Sequence, residues 1–333
     1  MLFWIILIAI LILLLICLVL AWLVLTNVFG CRKNECQPGS VPRRYRRWAK
    51  AYEEGWRYLK KLKIEEYELT SRDGLKLKGY YIPAIGEAER TIVFAHGYRD
   101  TPFEDIVPML RFYREESCGI FLITHRGHDK SEGRWVTFSI KESQDLMDWI
   151  RFAADLPSVK GRPIYPVGVS MGAASVMRLL GEKEKLPEEV VGLIEDSGFT
   201  DPGKELVYTA REHFHMPAFP IAYIVTFYVR LILHVDLNLR SAREYMKENE
   251  TLPVLFIHGT GDHVVPVSQS VRAYLACRAG KLLCLIDNAP HICGYFTDPE
   301  KYQAAVEGFF AGVEGWEETE EVFDEEDSAS GKG

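Results

Sequence analysis

The feature that most restricts how this chain can fold is the pentapeptide Gly168-Val169-Ser170-Met171-Gly172. An apolar run at 164–169 leads into the serine, and a helix-compatible stretch at 173–180 follows it. A sharp turn from strand to helix strains the backbone at its central residue and leaves no room for large side chains two positions before and after it. The sequence therefore predicts a strand, a turn that lifts the Ser170 hydroxyl out of the sheet, and a helix. Taken alone, the pattern also fits an ordinary buried serine at a glycine-rich strand end.

Apolar and helical segments alternate around this turn. Two extended segments, 64–70 and 75–82, flank Asp73-Gly74, a dipeptide typical of β-hairpins. Further strands are predicted at 91–95, 120–124, 164–169, 190–195, 254–258 and 282–286. Helices are predicted at 102–116, 139–154, 173–180, 267–278 and 299–311. The alternation predicts an α/β fold in which a mostly parallel sheet is covered by helices on both faces and preceded by an antiparallel hairpin.

One long segment, 199–250, interrupts this alternation. So long an insertion after a sheet strand is usually functional, and here it predicts a helical cap above the strand ends. The cap is rich in aromatic side chains, among them Phe214, Phe219, Tyr223, Phe227 and Tyr228. These rings either shape an apolar substrate pocket or form the core of the cap itself.

Two residues downstream of Ser170 have the chemistry to activate its hydroxyl. A serine becomes a strong nucleophile when a base takes its proton, and the base needs a carboxylate to orient it. Asp262 follows the predicted strand 254–258, and His291 follows the next one. We expect the three side chains to meet where the strands end. Asp196, after the strand 190–195, is an alternative carboxylate.

An oxyanion formed by attack on a carbonyl also needs hydrogen-bond donors, which are usually two backbone amides. The amide of Met171, directly after the serine, is one candidate. The other is the amide of Tyr98 in His96-Gly97-Tyr98, after the strand 91–95, where glycine allows close approach of the backbone. His96 is expected to organise that loop rather than to act as the base.

Together these motifs resemble the α/β-hydrolase superfamily, in particular the group that contains serine aminopeptidases, monoacylglycerol lipases and Bem46-like proteins. The resemblance runs from Tyr67 to Phe310 and also includes the loop 126–133, a marker of the fold more than of the chemistry. It implies an eight-stranded type of sheet, Ser170 as nucleophile, Asp262 as acid and His291 as base. It also implies that no metal or organic cofactor takes part.

The N-terminal segment is apolar from residue 2 to residue 25, with no charge before Arg32. A helix of about 20 apolar residues crosses a bilayer, so residues 1–30 are predicted to be a transmembrane anchor. A cleaved signal peptide is the alternative, but no basic segment precedes the apolar run and no small-x-small cleavage site follows it.

Basic residues follow the anchor in the segment 31–62, which is predicted to be a juxtamembrane segment. They are Arg32, Lys33, Arg43, Arg44, Arg46, Arg47 and Lys50. Such residues favour the cytoplasmic side of a membrane and attract anionic lipids. The hydrolase domain, predicted over 63–312, is therefore expected to face the cytoplasm.

The charge of the chain is concentrated at its C-terminal end. Nine carboxylates and no basic residue lie between Glu314 and Asp327, while the net charge of the whole chain is -8. Residues 313–333 are therefore predicted to be a disordered acidic tail. No basic face for nucleic acid is evident, and the seven cysteines have no metal-ligand spacing.

These observations favour a membrane-anchored serine hydrolase that cleaves carboxylic esters, with lipid-like acyl esters suggested by the anchor and the apolar cap. The same three groups could serve a peptidase, a thioesterase or an acyltransferase, because the cap selects the substrate. A non-catalytic, membrane-tethered binding protein is the alternative outside enzymology.

Overall fold

A computed structural model of the chain describes residues 1–31, 40–181, 186–212 and 219–326, without the side chains of 316–326. At its centre lies an eight-stranded sheet with the strand order β1-β2-β4-β3-β5-β6-β7-β8. The strands are β1 Glu65–Thr70, β2 Lys76–Ile82, β3 Arg90–Ala95, β4 Cys118–Ile123, β5 Ile164–Val169, β6 Leu193–Asp196, β7 Val254–Gly259 and β8 Lys281–Ile286. Strand β2 is antiparallel to both β1 and β4, and all other pairs are parallel. The predicted hairpin and the mostly parallel sheet are confirmed.

Helices cover both faces of this sheet. The α-helices of the described residues, including those that lie away from the sheet, are α1 Leu2–Val24, α2 Ala49–Leu59, α3 Pro102–Ile106, α4 Leu110–Glu115, α5 Ile140–Ala154, α6 Met171–Arg178, α7 Pro202–Glu212, α8 Ile221–Tyr228, α9 Ala242–Glu248, α10 Ser268–Ala276, α11 Gly294–Thr297 and α12 Pro299–Glu326. Side chains alternate between the two faces of a strand, so Phe94 of β3 packs with α2, α4 and α12, while Val93 packs with α5, α6 and α10. Two hydrophobic layers therefore hold the sheet rigidly between them.

The helix α1 continues into a five-residue π-helical turn, Leu25–Phe29. Together they form one helix, Leu2–Phe29, in which an 18-residue stretch has a mean hydropathy of 3.6, so the helix is long and apolar enough to cross a membrane. Most of its side chains are exposed, but Ala21, Leu25 and Phe29 are fully buried. Its last turns therefore pack against the rest of the protein.

The segment between the apolar helix and the sheet, which the sequence assigns to a juxtamembrane segment, packs against the folded domain. A 3-10 helix, Arg43–Trp48, and α2 place Tyr45 and Tyr52 in the hydrophobic core. Arg44 contacts two carboxylates of the domain, at 2.8 Å from Asp100 and 2.7 Å from Asp105. The domain boundary therefore lies before residue 43, because aromatic side chains of this segment cover the sheet. Residues 32–39, including Arg32 and Lys33, lie outside the described residues.

The C-terminal boundary differs as well. Helix α12 continues past residue 312, and Glu314 forms an ion pair with Arg90 at 2.7 Å. The acidic tail therefore does not begin at 313, since this carboxylate is part of the folded domain. Residues 327–333 lie outside the described residues.

The described residues of the insertion 199–250 include the helices α7, α8 and α9, and these lie in two places. Residues 213–218, including Phe214, lie outside the described residues. Helix α9 packs beside α6, and its Met246 belongs to one of the two core layers. Helices α7 and α8 instead lie near Ser170 and line a cavity there. Among the described helices of the insertion, α7 and α8 therefore occupy the position predicted for a cap, and α9 does not.

Candidate active site

The turn at Ser170 has the strained geometry that the pentapeptide predicts. Ser170 has φ 54° and ψ −115°, a conformation that non-glycine residues rarely adopt. A Cβ on Gly168 would lie 2.3 Å from the carbonyl carbon of Gly172, and one on Gly172 would lie 2.0 Å from the carbonyl oxygen of Ala95. Both glycines are therefore required for helix α6 to begin against β3 and β5.

Three of the predicted site residues form one hydrogen-bonded chain. His291 Nε2 lies 2.9 Å from Ser170 Oγ, and His291 Nδ1 lies 2.6 Å from Asp262 Oδ2. Ser170 follows β5, Asp262 follows β7 and His291 follows β8, so the chain crosses the carboxyl ends of parallel strands. A carboxylate only accepts, so the proton between His291 and Asp262 belongs to Nδ1. This leaves the lone pair of Nε2 for the serine hydroxyl.

Asp196, the alternative carboxylate, has other partners. It is buried and accepts hydrogen bonds from the hydroxyls of Ser197 at 2.8 Å and Tyr302 at 3.2 Å. The structure thus joins His291 to Asp262 and ties Asp196 to the core.

Three hydrogen-bond donors and the nearby imidazole of His258 hold Asp262 as an anion. Its Oδ1 accepts from the amides of Val264 and Val265 at 2.8 and 2.9 Å, and its Oδ2 lies 3.2 Å from His258 Nε2 as well as near His291. Burial alone would raise the pKa of Asp262, but the hydrogen bonds and charges of His258 and His291 outweigh it and hold the pKa well below its usual range. The carboxylate therefore stays charged beside His291.

Behind Asp262 lies a buried polar chain that the sequence analysis missed. His258 Nδ1 lies 2.7 Å from Ser270 Oγ, and its Nε2 donates to the carbonyl of Val265 at 3.0 Å. Interaction with Asp262 and Glu195 raises the pKa of His258 despite its burial, and burial raises the pKa of Glu195 to about 7. The chain fixes the loop that carries Asp262. Its signal in the sequence was a histidine at the end of a strand, four residues before an aspartate.

The loop after β3, which carries the predicted amide donor Tyr98, lies close to Ser170, and the other predicted donor, Met171, directly follows the serine. A Cβ on Gly97 would lie 3.5 Å from Ser170 Cβ, so the backbone beside Tyr98 is close to the hydroxyl. Met171 is the first residue of α6, where amides have no partner within the helix. The Gly97 amide donates to Asp105 at 2.7 Å, and Asp105 pairs with Arg44. Arg44, read in the sequence as a lipid-facing charge, therefore positions this loop.

His96 organises the same loop, as expected. Its Nε2 accepts from the amide of His125 at 3.1 Å, so its Nδ1 donates to the carbonyl of Gly97 at 2.7 Å. Burial lowers the pKa of His96, which keeps the ring neutral. His96 thus has a fixed tautomer without contact to the serine.

A cavity of about 650 Å³ opens above Ser170. This volume lies within the range of small-molecule sites in proteins, roughly 300–1,000 Å³. Its lining is mostly apolar and comes from the loops around Ser170, from α7 and α8, and from α1. The apolar lining residues on α1, α7 and α8 include Leu20, Leu23, Val24, Leu206, Ile221 and Val225.

A comparison with protein-family models identifies the family to which a chain with this geometry belongs. The model of the α/β-hydrolase family matches residues 92–305, more than half of the chain. The chain belongs to the α/β-hydrolase family.

Relatives of this hydrolase are found in bacteria and in yeast. The uncharacterized protein YqkD of Bacillus subtilis is 25% identical over 243 residues, which cover 73% of this chain and 78% of YqkD. Protein Bem46 of Schizosaccharomyces pombe is 23% identical over 223 residues, which cover 66% of this chain and 68% of Bem46. The resemblance to Bem46-like proteins is thus confirmed.

Solved structures share the fold of this hydrolase. The Pyrococcus furiosus esterase Pf2001 superposes with a TM-score of 0.61 at 20% identity, covering 85% of this chain and 98% of the esterase. Est1E from Butyrivibrio proteoclasticus, whose structure contains ferulic acid, superposes with a TM-score of 0.58 at 20% identity, covering 75% and 99%. At these identities the likeness establishes the α/β-hydrolase fold.

The loop 126–133 of the hydrolase supports the fold, as the resemblance implies. Arg126 pairs with Asp145 at 2.7 Å and with Asp73 at 2.8 Å, and Ser131 Oγ donates to the carbonyl of Thr124 at 2.9 Å. These bonds join the hairpin turn, β4 and α5. The loop therefore holds elements together beside the site without contributing a group to it.

Proposed function

We propose that this protein is a membrane-anchored serine hydrolase that cleaves carboxylic esters through an acyl-enzyme on Ser170. The observation that carries the proposal is the hydrogen-bonded chain from Asp262 through His291 to Ser170 at the base of an apolar cavity. The esterase fold neighbours are consistent with this chemistry.

In the first half of the reaction, His291 Nε2 takes the proton of the Ser170 hydroxyl as Oγ attacks the ester carbonyl. Asp262 stabilises the imidazolium that forms, because its carboxylate remains charged. The amides of Tyr98 and Met171 stabilise the oxyanion of the tetrahedral intermediate. When the carbon–oxygen bond breaks, His291 gives its proton to the leaving alcohol, and the acyl group remains on Ser170.

In the second half, His291 takes a proton from water as the water oxygen attacks the acyl carbon. The second tetrahedral intermediate collapses, His291 returns the proton to Ser170 Oγ, and the carboxylic acid leaves. The proton balance closes within the three residues, and no metal or organic cofactor is needed for any step.

The proposed location is the membrane, with the hydrolase domain on the cytoplasmic side. Arg43, Arg46, Arg47 and Lys50 follow the apolar helix in the sequence and are exposed, which suits contact with anionic lipids. Protease treatment of intact cells should leave the domain uncut, and treatment after lysis should cut it. Digestion from outside intact cells would contradict the cytoplasmic placement.

The test of the chemistry is reaction of the full chain with a fluorophosphonate probe, followed by peptide mass spectrometry. We expect the probe on Ser170, and loss of both labelling and p-nitrophenyl ester hydrolysis in Ser170→Ala. Ser143→Ala, on α5, is the matched control and should keep both. Labelling retained in Ser170→Ala would refute the assignment, and an unreactive wild-type chain would favour a binding protein. Turnover of amide or thioester substrates ahead of oxygen esters would redirect the proposal to a peptidase or a thioesterase.

A further inference from the structure

The end of the apolar helix has two faces with different surroundings. On one face, Ala21, Leu25 and Phe29 are fully buried against residues that include Val225 and Val229. This face attaches the helix to α8 and to the π-helical turn Val229–Leu233 that follows it. The helix end is therefore an integrated part of the domain.

The other face of the same turns lines the cavity above Ser170. It contributes Leu20, Leu23, Val24, Asn27 and Val28 to the cavity wall. A helix that served only to anchor the domain would have no need to border the cavity that contains the reactive serine. The side chains that this helix contributes to the cavity wall are apolar at Leu20, Leu23, Val24 and Val28, and the polar one is Asn27 in the last turn of the helix.

Hydrogen bonds fix this wall to the loop that carries the proposed oxyanion donor. The Tyr98 hydroxyl donates to the carbonyl of Val28 at 2.5 Å, and the Arg99 guanidinium donates to the carbonyl of Asn27. The amide of Val136 donates to the carbonyl of Phe29 at 2.8 Å. The helix end is thus held in place relative to Ser170.

The cavity wall is continuous with exposed apolar surface. Leu23 lines the cavity and is also 49% exposed. Beside the helix, Phe219 and Tyr223 at the start of α8 are 75% and 71% exposed, whereas Tyr228 at its end packs on Trp22 with ring centroids 6.0 Å apart. An apolar path therefore leads from the surface of the membrane-spanning helix to the cavity.

We propose that the last turns of α1, together with α7 and α8, form an acyl-chain site, and that the substrates are bilayer lipids with an acyl ester. The chain would move along α1 from the hydrocarbon region to Ser170. This inference rests on the proposed esterase function and adds the substrate class and the route. A chain that follows this route passes from one apolar environment to another, whereas a route through water would expose each methylene at a cost in free energy.

The test uses the full chain in phosphatidylcholine nanodiscs and p-nitrophenyl acetate, butyrate, decanoate and palmitate as probes. Leu23→Trp would fill the chain site, and Leu13→Trp makes the same change on the exposed part of α1 away from the cavity. Each methylene excluded from an apolar site lowers binding about fourfold, so we expect kcat/KM for decanoate to fall roughly tenfold or more in Leu23→Trp. In Leu23→Trp, kcat/KM for the acetate should fall far less than kcat/KM for the decanoate, and Leu13→Trp should change neither ester.

Two results would overturn this inference while leaving the esterase proposal intact, provided that Ser170 still reacts with fluorophosphonate. One is an unchanged chain-length profile in Leu23→Trp. The other is an equal fall for acetate and decanoate, which would make the helix end a support for the loop and not an acyl site. Absence of Ser170 labelling in the wild type would instead refute the proposed function.

The route has its own measurement. Palmitate ester placed in the same nanodiscs as the enzyme should be hydrolysed faster than the same ester placed in separate, enzyme-free nanodiscs. Equal rates would refute entry from the bilayer. Val24→Ala, which removes two methyl groups from the wall and enlarges the cavity, provides a second check. The ratio of kcat/KM for palmitate to kcat/KM for acetate should rise in this variant. A fall in this ratio would contradict the proposed acyl-chain site.

Discussion

The floor and the roof of the cavity are built on different principles. The floor consists of Ser170, His291 and Asp262 on loops at the ends of parallel strands, joined by directional hydrogen bonds of 2.6 and 2.9 Å. The roof consists of α1, α7 and α8, whose cavity-lining side chains are mostly apolar. A hydrogen bond is lost completely when its donor or acceptor atom is removed. The free energy of an apolar contact instead changes in proportion to the apolar area that is buried. The floor should therefore respond to mutation abruptly and the roof gradually.

The largest effect is expected for His291, the proposed general base in the floor of the cavity. His291→Ala removes the proposed proton acceptor, and loss of one member of such a triad lowers kcat by up to about 10⁶-fold in a well-studied serine protease. We expect a fall in kcat/KM on the order of 10⁴-fold or more for p-nitrophenyl butyrate, measured in full-length protein. His263→Ala changes an exposed histidine next to Asp262 and should leave the rate near that of the wild type. Similar losses in both variants would contradict the role of His291.

The next test separates the two carboxylates near His291. Asp262→Asn should lower kcat/KM by on the order of 10⁴-fold, because an amide cannot stabilise the imidazolium or hold its tautomer. In Asp196→Asn the amide oxygen can still accept from one of the two hydroxyls, of Ser197 or Tyr302, and the amide NH2 can donate to the other hydroxyl oxygen, so much more activity should remain. The reverse order of effects would assign the acid to Asp196.

The third test addresses the turn that holds the floor. Gly172→Ala places a Cβ 2.0 Å from the carbonyl oxygen of Ala95, which forces the backbone of α6 away from β3. We expect a loss of roughly 3 kcal/mol in the free energy of unfolding, measured by denaturant titration. Gly308→Ala in α12 has open space for a Cβ and should be neutral or stabilising by about 0.5–1 kcal/mol. A neutral Gly172→Ala would show that the turn tolerates side chains.

The smallest effect concerns a carboxyl group in the roof. Burial, helped by the charge of Asp262, raises the pKa of Glu205 on α7 to about 7 from a usual value near 4.5. A raised carboxyl pKa stabilises the folded state below the unfolded pKa, and that stabilisation is lost as the pH rises through the folded pKa. Glu205→Gln does not titrate, so its melting temperature relative to the wild type should increase between about pH 5 and pH 8.

The control for this prediction is Glu212→Gln at the end of the same helix, where the side chain is exposed. Because substitutions of exposed side chains usually change stability little, this variant should melt near the wild-type temperature. If Glu205→Gln behaves in the same way, the carboxyl group of Glu205 does not titrate in this window.

Sequence reasoning succeeded where chemistry and periodicity coincide along the chain. Ser170, Asp262 and His291 each follow a predicted strand, and parallel strands bring their carboxyl ends to one edge of a sheet. The glycines of the pentapeptide predicted the turn because only small residues fit there. The α/β fold and the convergence of candidate residues at one edge of the sheet could therefore be predicted from the sequence, whereas the choice between Asp262 and Asp196 could not.

Predictions from the sequence were wrong or incomplete for residue types that occur both at protein surfaces and in buried sites. Arg44 lies among arginines that suit a membrane surface, yet it pairs with Asp105 and positions the loop of Tyr98. His258 was read only as part of the strand end before Asp262, although it fixes that aspartate from behind. Phe219 and Tyr223 were assigned to the pocket or to the cap core, but they are exposed. Partners far away in the sequence decide such roles.

The sequence by itself determined three features: that each reactive group directly follows a strand, that the turn at Ser170 is strained, and that an apolar helix is present. Each of these depends on residues that are close together in the chain. Only the tertiary structure decided that Asp262 and not Asp196 reaches His291, and that the end of the apolar helix borders the cavity. Both outcomes depend on which of several chemically equivalent groups the packing of distant elements brings within contact distance. Local pattern carries no information about that choice.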